Sequence, residues 1–179
     1  MDVCNYEIYR LKSVLNGFKY SLKNDFVLYF NHVNRVFEYC KVLDTEESNY
    51  PKYAIAAIFH DLGIWTENTF DYLDPSIRLA EKYLISIGKK EWIEEVSIMI
   101  DMHHKTTSYN GKYSDTVETF RQADWADVSL GVVRFNLSLK EFRKINDQFP
   151  NKGFHVFLVK QTLLRLMTNP FNPLPMFKK

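Results

Sequence analysis

The chain of 179 residues has 46% hydrophobic and 25% charged side chains, the proportions of one ordinary globular domain with a sizeable core. A formal net charge of only +1, with no long run of Lys or Arg, excludes a surface built to neutralise many phosphates, so no long nucleic acid is expected as partner. Eleven Tyr and fourteen Phe exclude a disordered segment.

No apolar run approaches the ~20 residues needed to cross a bilayer, and no membrane partner is expected. The start, MDVCNYEIYRLK, carries charges early and lacks the apolar stretch of a signal peptide. Cys4 and Cys40 have neither metal-like nor redox-like spacing, and Cys40 falls in an apolar helical pattern as a buried thiol. Together these features predict a reduced, cytoplasmic, single-domain protein.

Helical periodicity dominates from Asp25 onward. Between Asp25 and Leu43, the residues Tyr29, Val33, Val36, Phe37, Cys40 and Leu43 form one apolar stripe, with Asn31, Asn34, Glu38 and Lys41 outside it and Asp25 as N-cap. Pro51 to Leu62 is apolar all round, Pro51 suiting the first turn and Gly63 the stop, which predicts a buried helix. Pro75 opens a segment through Leu79, Tyr83 and Leu84 that ends near Gly88. Lys90 to His103 follows, with Trp92, Val96, Met99 and Ile100 on one face.

The polar stretch Thr106 to Asp115 reads as a loop. Asp115 to Leu130 and Gly153 to Met167 are predicted helices, with a shorter one near Ser138 to Asn146. The tail from Asn169 holds three prolines and cannot be regular helix. No repeat, linker or convincing strand interrupts this pattern. The prediction is one all-α domain over 1–179.

Chemistry shows as violations of the apolar pattern. His32 lies inside the stripe of its helix, and His60-Asp61 closes a helix that is otherwise wholly apolar. His103 continues the face of Val96, Met99 and Ile100, and Asp124 follows Val117 and Phe120 at helical spacing. Singly, each is more often a hydrogen-bonded core residue or a helix cap. Four helices that each bring a His or Asp inward, without inward Lys or Arg to neutralise them, instead suit a divalent cation. Imidazole and carboxylate are ligands that Fe, Mn, Zn, Co and Ni all accept.

The order His32, His60-Asp61, Asp124 resembles the H…HD…D signature of the HD-domain metal-dependent phosphohydrolases. The words HVNRV, AAIFHDLG and RQADWADV around those positions resemble the family's too, over about residues 26–130; residues 131–179 would be variable helices and tail. The resemblance implies an all-helical bundle with His32, His60, Asp61 and Asp124 as ligands of one metal, Asp61 and the His pair being the catalytic groups. Asp124 is preferred to Asp127, which would support the site or face substrate. His103-His104 resembles the additional histidines of two-metal members. Where those members carry Tyr-x-x-His, this chain has Tyr72-Leu73-Asp74-Pro75, so Asp74 and His103 are the candidates for a second ion. Ile64 stands where relatives often have Lys, which removes any role given to that side chain.

The expected chemistry is attack of an acidified water on a small anionic, phosphate-bearing substrate. Arg35 and Lys105 are the candidates to hold its oxygens, and His103 or His104 would bind a second ion or protonate the leaving oxygen. Two other functions fit the same scaffold. One is a non-phosphate enzyme, a hydratase of small molecules or a di-iron oxygenase; the other is a ligand sensor that keeps the metal.

Overall fold

A computed structural model describes residues 11–171, and among them every regular element is helical. Cys4 and the prolines at 173 and 175 lie outside the described residues. None of the described helices is long and apolar enough to cross a membrane.

Residues 11–16 and Lys19–Leu22 form helical turns that bury Leu11, Leu15 and Leu22, a start that the periodicity did not mark. Helix α1 follows at Phe26–Leu43. Asp25 precedes it but does not cap it. Its backbone is already helical, and its Oδ2 accepts from the Trp65 indole N–H at 2.9 Å. The polar side of α1 is also not solvated. Asn31 and Asn34 are buried, their amides donating to the carbonyls of Pro150 at 2.7 Å and Phe30 at 2.6 Å. The stripe reading missed this because α1 is covered on several sides, by α2 (Tyr50–Phe59), α6 (Ser114–Val128), α7 (Leu139–Gln148) and α8 (Phe154–Thr168).

Pro51 stands in the first turn of α2, where its missing N–H is not needed. The helix ends at Phe59, and a tight turn at His60–Leu62 leads into the short helix α3, Gly63–Thr66. Gly63 therefore opens a helix instead of stopping one. Its role is close approach: a Cβ there would lie 2.5 Å from the Tyr72 carbonyl oxygen and 2.9 Å from both Pro75 Cβ and Ser76 Oγ. Its N–H donates to Ser76 Oγ at 3.0 Å, tying the turn to α4 (Leu73–Ser86).

Helix α5 (Ile93–Met102) packs on α2, α4 and α6, burying Val96, Met99 and Ile100. Helix α7 begins with a capping box, Ser138 Oγ accepting from the Glu141 N–H while Glu141 accepts from the Ser138 N–H. The result is a helical bundle with α1 along its centre. Adding one methyl at Gly63 has no free space to enter, so Gly63→Ala should destabilise the protein by about 1–3 kcal/mol, read from the urea midpoint. An unchanged midpoint would show that the α3–α4 junction is loose.

Candidate metal centre

Two helices and two turns deliver six polar side chains to one buried point. Helix α1 supplies His32, the turn after α2 supplies His60 and Asp61, the end of α5 supplies His103 and His104, and α6 supplies Asp124. His32, His60 and His103 are fully buried, Asp61 is 2% exposed and Asp124 1%.

The tautomers of three imidazoles follow from their partners. His60 Nδ1 lies 2.8 Å from the Ala57 carbonyl and His103 Nδ1 lies 2.6 Å from the Ile100 carbonyl. His32 Nδ1 lies 2.7 Å from Asp127 Oδ2. Carbonyl and carboxylate oxygens only accept, so each Nδ1 carries the proton and donates it. All three Nε2 atoms then present lone pairs inward. His32 Nε2 and His60 Nε2 are 2.9 Å apart. Asp61 Oδ2 lies 3.6 and 3.5 Å from them, and Asp124 Oδ1 3.7 and 3.5 Å. His103 Nε2 is 3.5 Å from the other Asp61 oxygen, Oδ1.

The His–Asp separations of 3.5–3.7 Å are too long for good direct hydrogen bonds and are those of ligands spaced around a common centre. Two triads qualify as cation sites: His32, His60 and Asp61; and Asp61, His103 and His104. Asp61 belongs to both.

The electrostatics support the same arrangement. Neither Asp61 nor Asp124 has a Lys or Arg ion-pair partner among the described residues. Burial opposes ionisation of Asp61, but His60, His103 and His32 more than offset it and hold its carboxyl well below the usual range. Burial likewise opposes ionisation of Asp124, and His60 foremost, with His103 and His104, lowers its pKa. For His60 burial favours the neutral ring, yet Asp61 and Asp124 raise its pKa to about 9. A proton on His60 would therefore neutralise one carboxylate in the absence of a cation and bridge the short contact to His32. It would leave Asp61 Oδ1, Asp124 Oδ1 and His103 Nε2 buried without a partner, as they now are. A divalent cation answers all three. The donor set fits it.

His104 forms the open edge, with 17% of its side chain exposed. Its Nε2 lies against the Tyr72 hydroxyl, in a contact shorter than an ordinary hydrogen bond, and its Nδ1 faces Asp124 Oδ2 at 3.8 Å. Burial and the adjacent His103 hold its pKa down to about 3. A neutral ring accepting from Tyr72 at Nε2 keeps its proton on Nδ1, toward Asp124. For His104 to give Nε2 to an ion, the Tyr72 proton must turn elsewhere, and Asp61 is beside it.

Two sequence expectations fail here. Arg35 does not face a substrate: it is fully buried, its Nε and Nη2 donate to Asp127 at 2.5 and 2.8 Å, and its Nη1 donates to the Phe149 carbonyl at 2.9 Å. Spacing placed it one turn from His32 correctly, but the carboxylate waiting on α6 could not be read from α1. Asp74 is exposed in the first turn of α4 and is not in either triad. The residue of that word that enters the site is Tyr72, 2% exposed, whose only sequence signal was its place in the comparison that singled out Asp74.

Other polar and aromatic groups lie around the cluster. Lys105 is half-buried directly after the His pair, and its carbonyl accepts from Arg121 Nη1 at 3.0 Å and the Trp125 indole at 3.1 Å. Arg121 is further committed to Glu118, on its own helix. Asp127 turns away from the cluster to Arg35 and His32. Trp65 lines a cleft of about 710 Å³ with Asp25, Ile64, Phe70 and Phe157. His155 is a structural group, its Nε2–H donating to the Asp127 carbonyl at 2.8 Å and its Nδ1 accepting from Asn151.

Comparison with family models, curated proteins and solved structures finds no match to this chain. The site is defined by its own geometry.

Asp127 holds the His32 ring and neutralises Arg35, so its removal strands a fully buried guanidinium. Asp127→Ala should cost about 3–5 kcal/mol in urea unfolding. The double variant Arg35→Met/Asp127→Leu, which removes both charges, should lose much less than the two single losses combined. Simple additivity would show that the two residues do not act as a pair.

Proposed function

We propose that the chain is a metal-dependent hydrolase of the HD-domain type that acts on a small phosphate ester or nucleotide. The observation that carries this reading is the convergence of three Nδ1-anchored imidazoles and two carboxylates without basic partners on one buried point. His32, His60, Asp61 and Asp124 would hold one ion; Asp61, His103 and His104 would hold a second. A bound divalent ion (Fe, Mn, Zn, Co or Ni) would supply Lewis acidity and an acidified water.

The residues of the chain supply the rest. Asp127 and the Ala57 and Ile100 carbonyls fix the ring orientations, so the ligand atoms need no rearrangement. Phe120, with ring centroids 5.7 Å from His60 and 6.5 Å from His103, and Phe154, 3.9 Å from His32, exclude water from the inner side. Substrate would approach at the His104 edge. There the side chain of Lys105, with no ion-pair partner among the described residues, can meet a negative charge.

One observation favours a second reading. Arg35 and Arg121 are both consumed by internal carboxylates, which leaves fewer cations at the edge than a phosphate site ordinarily gathers. A non-phosphate enzyme on the same centre, a hydratase or a di-iron oxygenase using the two triads around Asp61, needs fewer.

Elemental analysis of the purified protein should find about one or two transition-metal ions per chain. Asp61→Ala, which removes the residue shared by both triads, should lose them together with turnover of generic phosphoesters such as bis-p-nitrophenyl phosphate. His103→Ala should lose only the second ion. Metal in the wild type without phosphoester turnover would favour the second reading; no metal in any preparation, and none taken up from added salts, would sink both.

A further inference from the structure

Helix α8 has two apolar faces, and among the described residues only one of them is covered. Phe154, Phe157 and Leu158 turn inward: Phe154 is fully buried on His32, Phe157 stacks on Trp65 at 4.8 Å between centroids, and Leu158 packs on the main core. Val156, Val159, Leu163 and Met167, spaced at three and four residues, lie on the opposite side with exposures of 72, 59, 55 and 82%. Leu164, Leu166 and Phe171 extend the exposed surface. A monomer in water gains nothing from such a stripe, and isolated surface apolars do not recur at helical spacing along fifteen residues.

The charge of this region is as one-sided as its hydropathy. From Phe149 to Lys179 the sequence contains Lys152, Lys160, Arg165, Lys178 and Lys179, and none of the chain's 22 Asp and Glu residues. Lys152 and Lys160 are exposed, Lys160 on the flank of the outward stripe.

We propose that the outward face of α8 docks on an anionic bilayer surface. An apolar stripe on a segment that carries cations and no carboxylate is complementary to acyl chains beneath acidic headgroups, with the helix lying in the plane of the interface. Pairing with a second copy through the same face would bring Lys160 and its counterpart together with no acidic residue on either helix to offset them. The expectation of no membrane partner came from the lack of a spanning segment. It does not bear on a helix that lies at the surface.

The test is flotation of the full chain with vesicles of equimolar phosphatidylserine and phosphatidylcholine, against vesicles of phosphatidylcholine alone. The chain should float with the acidic vesicles, float weakly with the neutral ones, and be released as salt screens the headgroups. Val159→Glu/Leu163→Glu should abolish flotation, and Lys160→Glu should weaken it about tenfold. All three positions are solvated, so circular dichroism and melting temperature should stay unchanged and separate lost docking from lost folding. Equal binding to both vesicle types overturns the role of charge and with it the proposal. Absence of flotation also overturns it. If sedimentation then shows a dimer that Val159→Glu/Leu163→Glu dissociates, the face belongs to a second copy.

Discussion

Burial of Asp61 and Asp124 among imidazoles is the constraint on which the centre of this molecule depends. Removing a carboxylate from water costs several kcal/mol even after relaxation, and such groups persist inside proteins only with a strong partner. No Lys or Arg reaches either residue among the described residues. The compensation must come from the histidines, through a proton or through a cation held with them. One proton on His60 balances one charge and one short contact. It leaves three inward-facing atoms unsatisfied, and an ion at the centre of the cluster would satisfy them. The cluster's balance of charge and hydrogen bonds is incomplete without a cation.

The histidines are held from behind. Two use carbonyls on the preceding helical turn, Ala57 for His60 and Ile100 for His103. The third uses Asp127, which is itself locked by the Arg35 fork. Arg35 also holds the Phe149 carbonyl, and His155 on α8 donates to the Asp127 carbonyl. Burial opposes ionisation of Asp127, but Arg35 first and His32 next hold its pKa well below the carboxylate range. Ring orientation at His32 is therefore fixed by a chain of contacts that joins α1, α6, α8 and the segment between α7 and α8.

Much of this was legible in the sequence, for a physical reason. An inward His or Asp stands out because helical spacing fixes its direction from its neighbours alone, and His32, His103 and Asp124 were each placed by residues three, four or seven positions away. The all-helical architecture followed from the same periodicity. What could not be read was anything that depends on a second element. Arg35 looked like a substrate cation because it lies three residues past His32; its partner lies 92 residues away on α6. Asn34 looked solvated because the covering helices are remote in sequence. Tyr72 reached the site instead of Asp74 because α4 begins at Leu73, which leaves Asp74 exposed in its first turn while the Tyr72 ring stays under α3. Gly63 was read as a stop because a glycine after an apolar helix usually is one; the approach of Tyr72 and Ser76 that requires it is a tertiary fact.

Helix α8 joins the buried cluster to the outer apolar surface. Its inner face closes the site on the His32 side, through the Phe154 ring stacked on His32 and the Phe157 ring stacked on Trp65 beside the cleft. Its outer face is the apolar, basic surface. A contact on the outer face and the packing on the inner face act on one rigid element, so any shift of α8 must move Phe154 against His32 or break the His155–Asp127 bond that steadies it. Docking energy gathered outside would then be felt at the His32 ring, a ligand candidate of the first triad. The edge where His104 and Lys105 meet solvent would be left clear for substrate. A helix that covered the His104 edge could not dock without closing the site; one placed on the His32 side can.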